Sequence, residues 1–268
     1  MHYADQHIHS NFSTDGRDTL NNMAASAMDK GLPLICFTEH MDYDSHYPDG
    51  IFEVDTDVYL NDFTELKNNI KAPLELCFGV ELGLQPHLVD HFNEYVNNYP
   101  FDLVLGSSHI VDGMDAAFPK YYNSFTTEKA ANMRYFEAEL HCAELFSCFD
   151  IYAHLDYALR YAPSGTSDFD YSEYGDVLDS LLKTLIDKGK GIEVNTGGLR
   201  KSFKRLNPHP SILKRYRELG GEIVTIGSDA HNTSDIASGF DIALSALSDS
   251  GFRYYCVFRE RKAEYLRI

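Results

Sequence analysis

Two imidazoles stand on alternate residues of a strand-like run, at His7 and His9. Alternate residues of an extended strand point to the same side, so the rings converge and form a half-site for Zn²⁺, Fe²⁺ or Mn²⁺. Further apolar runs also end in potential ligands. Leu34–Thr38 leads to Glu39 and His40, Leu74–Val80 to Glu81, and Phe101–Gly106 to Ser107, Ser108 and His109. Asp150–Ala153 leads to His154, and Glu222–Ile226 leads to Asp229 and His231. One catalytic zinc needs three or four protein ligands. This larger set, which includes carboxylates able to bridge, suits two or three ions, and multinuclear sites usually hydrolyse phosphoesters or amides. His2, His46, His87, His91, His141 and His209 fall outside the pattern and read as structural histidines.

For these groups to meet, the runs must be parallel strands with their C-terminal ends on one face. The chain alternates strand and helix. A strand at Tyr3–His9 precedes a helix that Asp18 caps and Gly31 stops, and further helices are expected near 57–70, 87–97, 127–146, 172–188, 211–219 and 240–248. Strands are expected at Leu34–Thr38, Leu74–Val80, Phe101–Gly106, Asp150–Ala153, Gly191–Val194 and Glu222–Ile226, with a closing strand-like run at Arg253–Phe258. Two long loops, Met41 to Asp55 and Ile110 to Phe125, belong to the same face. Seven βα units in 268 residues predict a single-domain α/β fold spanning residues 1–268, a (β/α) barrel, for which about 250 residues is usual.

Composition narrows the chemistry. With 44% hydrophobic residues the chain can bury a sizeable core, and no apolar run approaches the roughly 18 residues that span a bilayer. The first residues lack the basic and apolar blocks of a signal peptide, so a cytoplasmic protein is expected. The five cysteines, Cys36, Cys77, Cys142, Cys148 and Cys256, form no CxxC pair and read as reduced thiols. A net charge of −18 disfavours nucleic acid as a partner, though divalent ions and one or two Arg can reverse the field locally for a small phosphate.

In order, the motifs are His7 with His9, Asp15, Thr38-Glu39-His40, Glu81, His109, His154, and Asp229 with His231. This series resembles the polymerase-and-histidinol-phosphatase (PHP) family of metal-dependent phosphoesterases over essentially the whole chain. The resemblance implies a distorted (β/α)7 barrel with three divalent ions (Zn, Fe or Mn). It assigns one ion to His7, His9, Glu81 and Asp229, and a second to Glu81, His109 and His154. The third falls to His40, His231 and Asp15, where many members carry His instead of Asp. Ser107–Gly113, His154-Leu155-Asp156 with Arg160, and Glu193–Lys201 resemble the histidinol-phosphate phosphatase branch.

The implied reaction is direct hydrolysis of L-histidinol phosphate, with a hydroxide between the two Glu81-linked ions attacking phosphorus in line. Arg160 and Arg200 are the expected phosphate ligands, because Arg binds phosphate oxygens bidentately. Lys201 and Ser10 are secondary candidates. Asp229 or His231 is expected to carry the proton to the leaving alkoxide. Asp42, Tyr43, Asp44, Tyr47, Asp49 and Glu53 in the first loop, and Asp112, Asp115, Phe118 and Tyr121 in the second, read mostly as solvated loop residues. Two other readings are a PHP phosphoesterase acting on a nucleotide or another phosphomonoester, and a non-catalytic metal-binding module.

Overall fold

The computed structural model describes residues 3–45, 51–70, 73–165, 169–202 and 204–268. His2, His46, Tyr47 and Asp49 lie outside these. Strand and helix alternate from the start: β1 (Ala4–Ile8), α1 (Leu20–Asp29), β2 (Leu34–Met41), α2 (Thr56–Asn69), β3 (Glu75–Gly83), α3 (Val89–Asn97) and β4 (Leu103–Ser107). The loop after β4 is partly ordered into a hairpin of β5 (Ile110–Val111) and β6 (Met114–Asp115), and a short helix α4 (Pro119–Asn123). The alternation continues through α5 (Glu128–Leu145), β7 (Ile151–Tyr152), α6 (Gly175–Asp187), β8 (Gly191–Asn195), α7 (Pro210–Glu218), β9 (Val224–Gly227) and α8 (Phe240–Asp249). A final hairpin pairs β10 (Tyr254–Arg259) with β11 (Lys262–Arg267).

Seven strands form one parallel sheet in the order β1-β2-β3-β4-β7-β8-β9. The ring closes where Ile8 bridges Ala230 in parallel. There Asp229 N donates to His7 O at 2.8 Å and His9 N donates to Ala230 O at 2.8 Å. The ring is thin at β7, which pairs through only Ile151 and Tyr152 with each neighbour. This is the expected distorted (β/α)7 barrel. Strands buried on both faces read as continuous apolar runs, and β2 is buried along its whole length. Helices shield the sheet with aromatic side chains such as Tyr59 and Phe63 on α2, and the Tyr59 hydroxyl donates to Phe37 O at 3.1 Å.

One local expectation changes. Thr19, not Asp18, caps α1, its hydroxyl accepting from Asn22 N at 3.3 Å. The Asp18 carboxylate instead reaches across the seam to accept from Thr233 N at 2.8 Å. The closing strand-like run forms β10, which folds back on β11 and covers the N-terminal end of the ring. Phe258 N donates to the Gln6 side chain at 2.8 Å, and the guanidinium of Arg261 grips Asp150 at the entrance to β7. The side chains at the opposite end are thereby left open.

One buried carboxyl sits outside that open end. Glu139 on α5 is fully buried, and neither oxygen has a hydrogen-bond partner among the described residues. Its neighbour Tyr135 gives its hydroxyl proton to Ser108 O at 2.8 Å and so does not donate it to Glu139. Burial, followed by the charge of Asp156, pushes its carboxyl well above the ordinary range. A raised folded-state pKa means that the native protein holds a proton the unfolded chain has lost, so stability declines as pH rises above the unfolded value. Glu139→Gln keeps the shape without the titration. Its melting temperature is therefore expected to match the wild type near pH 5 and to exceed it increasingly toward pH 8. Equal pH dependence in both proteins would contradict a protonated Glu139.

Candidate metal centre

Because every barrel strand runs the same way, the residues at the strand ends meet at one mouth. His7 and His9 come from β1 and the residue after it, His40 from β2, and Glu81 from β3. His109 follows β4, His154 follows β7, and Asp229 and His231 follow β9. Glu81 lies at the centre, fully buried. Its Oε2 is 3.2 Å from His7 Nε2, 3.4 Å from His9 Nε2 and 3.2 Å from His40 Nδ1. Its Oε1 is 2.8 Å from His154 Nε2 and 3.3 Å from His109 Nε2. Asp229 Oδ1 stands 3.8 Å from His7 Nε2 and 3.7 Å from His9 Nε2. On the outer side Asp15 Oδ2 is 3.1 Å from His231 Nε2, and its Oδ1 is 3.7 Å from His40 Nε2.

The hydrogen bonds behind the rings decide what the rings present. His7 Nδ1 lies 2.7 Å from Glu193 Oε1, and His109 Nδ1 lies 3.0 Å from Asp42 Oδ2. A carboxylate only accepts, so each Nδ1 carries a proton and each Nε2 is directed at the centre, where it can ligate a cation that displaces its proton. Ser13 gives its hydroxyl proton to Glu39 at 2.6 Å, so it accepts from His9 Nδ1 at 3.1 Å. The same fixing holds for His231, whose Nδ1 donates to Asp229 O at 3.0 Å. As a result, His7 Nε2 and His9 Nε2 face each other at 3.0 Å, an arrangement that calls for a cation or an extra proton between them.

Charge tells the same story. Burial works against a charge on His7 and His109, but the surrounding carboxylates outweigh it and push both rings well above their ordinary value. His40 is likewise pushed up to about 9, because Glu81 and Asp15 outweigh its burial. His9, which is buried among His40, His231 and His7, is pushed well below. Burial would raise Glu81, yet the imidazoles of His7, His109 and His40 hold it well below the carboxylate range. In the bare chain, protons therefore neutralise a carboxylate-centred cluster. Divalent cations can displace those protons and bind the same lone pairs, so the donor set fits metal ions.

Among the described residues, four groups of side chains bring ligand atoms within 4.8 Å of one another: His7–His9–Asp229, His7–Glu81–His154, His9–His40–His231 and His40–Asp42–His109. These groups overlap, so the geometry supports divalent metal binding without fixing how many ions are held. Beside them opens a cavity of about 590 Å³, lined by Phe118, Tyr157, Tyr161, Arg160, Arg200 and Lys201 among others.

Arg160 is buried, with Nε 2.6 Å from Asn207 Oδ1, Nη2 2.7 Å from Asn195 Oδ1 and Nη1 3.1 Å from Asp229 Oδ2. Arg200 Nη2 donates to Ser228 O and Asp229 O at 2.7 and 2.9 Å, while Nη1 has no partner among the described residues. Ser10, in contrast, is turned away from the cavity toward Glu39, to which its hydroxyl donates at 2.6 Å. His87 pairs with Asp44 at 2.9 Å, His91 stacks on Tyr43, and His209 caps α7.

Two supports of the centre are not evident in the sequence. Asp42 reads there as a solvated loop residue, but it is buried against His109 because β2 carries the chain over the mouth before the loop begins. Glu193 lies mid-strand between Ile192 and Val194, and a carboxylate in an apolar run is the signal that marks it.

A PHP-domain family model matches residues 5–197. The chain belongs to the PHP-domain family. It is similar to a Clostridium acetobutylicum protein named "Probable histidinol-phosphatase", with 36% identity covering 93% of this chain and 94% of that one. It is also similar to the Lactococcus lactis histidinol-phosphatase, with 26% identity covering 98% and 97%. The crystal structure of the L. lactis histidinol phosphate phosphatase, complexed with zinc, L-histidinol and phosphate, superposes with a TM-score of 0.88 and 98% coverage of both chains.

Proposed function

We infer that this chain is a metal-dependent phosphomonoesterase that hydrolyses L-histidinol phosphate to L-histidinol and inorganic phosphate, a step of histidine biosynthesis. The observation that carries this reading is the Glu81-centred cluster of imidazole nitrogens beside a cavity furnished with arginines. The L. lactis relative, which holds zinc, histidinol and phosphate on the same fold, supports the substrate. We propose that residues 1–268 act as one barrel unit in the cytoplasm. No helix among the described residues is long and apolar enough to cross a membrane.

The proposed metal ligands are His7, His9, Glu81 and Asp229 for one ion, Glu81, His109 and His154 for a second, and Asp15, His40 and His231 for a third, each Zn, Fe or Mn. Bound there, divalent ions would bring the pKa of a water toward about 7 and offset the charge of the phosphate. The chain itself supplies orientation. Glu193, Ser13 and Asp42 hold the rings of His7, His9 and His109 in the tautomer that ligates. Arg200 on the cavity wall is proposed to meet a phosphate oxygen, while Arg160 holds Asp229 and keeps a second N–H on each terminal nitrogen for the same purpose. Of the two proposed proton carriers, His231 donates its Nδ1 proton to Asp229 O and its Nε2 lies 3.1 Å from Asp15 Oδ2. Asp229 or His231 is the proposed carrier of the proton to the leaving oxygen.

A phosphate-release assay of the metal-reconstituted protein tests this function. Histidinol phosphate is expected to show a kcat/KM at least a hundredfold above nucleoside monophosphates and simple sugar phosphates, and a chelator should abolish it. A nucleotide preferred over histidinol phosphate, or no release with full metal loading, would overturn the reading.

A further inference from the structure

Three arginines line the cavity, and two of them are already engaged. Arg160 is held by Asp229, Asn195 and Asn207, and Arg200 by Asp235 at 3.2 Å and by two carbonyls. The third, Arg17, is exposed, and its guanidinium has no hydrogen bond, ion pair or ring contact among the described residues. Its backbone, by contrast, is tightly placed. Arg17 N donates to His231 O at 2.9 Å, which ties the loop after β1 to the loop after β9. One residue earlier the chain turns so closely that a Cβ on Gly16 would meet Ser10 O at 1.7 Å, so only glycine fits. Ser13 N and Gly16 N close the turn on Ser10 O and Ser13 O at 3.0 and 2.9 Å. Asp15 and Arg17 thus flank a fixed glycine, with the carboxylate facing His40 and His231 and the guanidinium on the cavity wall beside them.

The surroundings make a free cation there consequential. Asp15, Asp42, Asp115, Asp229 and Asp235 all line the cavity, and the protein carries a net charge of −18. A phosphomonoester dianion approaching this mouth is repelled by the general field and needs local positive charge to enter. A carboxylate at position 15 adds negative charge at the outer edge of the cluster, where a histidine would add none. We propose that Arg17 is a phosphate-binding residue, closing on the outward oxygens of the substrate's phosphoryl group through its unpaired guanidinium. The inference rests on the phosphomonoesterase reading above and adds to it a third arginine, donated by the loop after β1.

The test uses the metal-loaded full chain as wild type, Arg17→Ala, Arg17→Lys and Lys183→Ala. Lys183→Ala removes one positive charge from α6, outside the cavity lining. Binding of inorganic phosphate is measured by calorimetry, and KM and kcat are measured with histidinol phosphate. Arg17→Ala is expected to raise the phosphate Kd and the substrate KM about tenfold while kcat stays within about threefold. Arg17→Lys should recover part of the loss, because it restores the charge but not the fork. Lys183→Ala should leave both constants unchanged. If the wild type hydrolyses a phosphomonoester and binds phosphate, and Arg17→Ala stays within twofold for both Kd and KM, the inference is wrong. An equal loss in Lys183→Ala would also overturn it, by assigning the effect to net charge. A wild type that binds no phosphate and hydrolyses no phosphomonoester defeats the underlying reading instead.

Discussion

Glu81→Gln is expected to lower kcat/KM by about a thousandfold or more and to leave the protein short of its full metal complement. The side chain is isosteric, so the cost is electronic. Both oxygens of Glu81 face imidazoles, Oε2 toward His7, His9 and His40 and Oε1 toward His154 and His109. A carboxylate can share its charge between two cations through its two oxygens, whereas an amide offers one neutral oxygen and, on the other side, an N–H₂ that can only donate. Whichever way the amide turns, one set of rings loses an acceptor and gains a donor directed at a lone pair. Metal content by mass spectrometry and turnover on histidinol phosphate should fall together. Near-normal turnover with full metal content would remove Glu81 from the centre of the proposed mechanism.

Arg160→Ala is expected to be the most damaging change outside the ligand set, lowering kcat/KM about a hundredfold and stability by about 3–5 kcal/mol. Its guanidinium joins three segments that are distant in sequence: Asn195 at the end of β8, Asn207 in the loop beyond, and Asp229 after β9. It also lies 5.3 Å above the Tyr157 ring. Burial would raise the Asp229 carboxyl, and His7 and then Arg160 keep it well below its ordinary range. With the guanidinium gone, the carboxylate loses its partner in a closed environment and can swing away from His7 and His9. Arg160→Lys preserves the charge but cannot reach three acceptors at once, so it should regain stability more fully than activity. Chemical denaturation and steady-state kinetics read the two effects separately. A fully active Arg160→Ala protein would show that Asp229 needs no such brace.

The strand-end residues proposed as ligands were legible in the sequence for a physical reason. A parallel barrel places every strand's C-terminal end on one face, so a polar residue after each apolar run marks the mouth directly. His7, His40, Glu81, His109, His154 and Asp229 all follow that rule. The residues that orient them did not follow it. Glu193 is hidden within β8, and Asp42 sits at the edge of a loop otherwise rich in solvated acids. Their roles depend on which ring lies across the barrel, and strand-end position alone cannot supply that. The terminal hairpin was half legible. β10 is apolar and buried, while β11 is mostly exposed and alternates charged with apolar residues, so it lacked the pattern of a core strand. The cap of α1 was misplaced because Asp18 and Thr19 are both good capping residues, and the choice was made by Thr233 on a distant loop.

The seam between β1 and β9 gives the barrel a clasp. No turn joins these strands, and the ring is held shut there by hydrogen bonds from Asp229 N to His7 O and from His9 N to Ala230 O. The residues that form the clasp also carry side chains of the candidate metal centre. An ion held by His7, His9 and Asp229 as proposed would tie the first strand to the segment after the last, and a barrel opening at this joint would part those proposed ligands in the same movement. Binding that favours the closed ring over the open one adds directly to the ring's stability. In such a design occupancy of the mouth would reinforce the integrity of the circle.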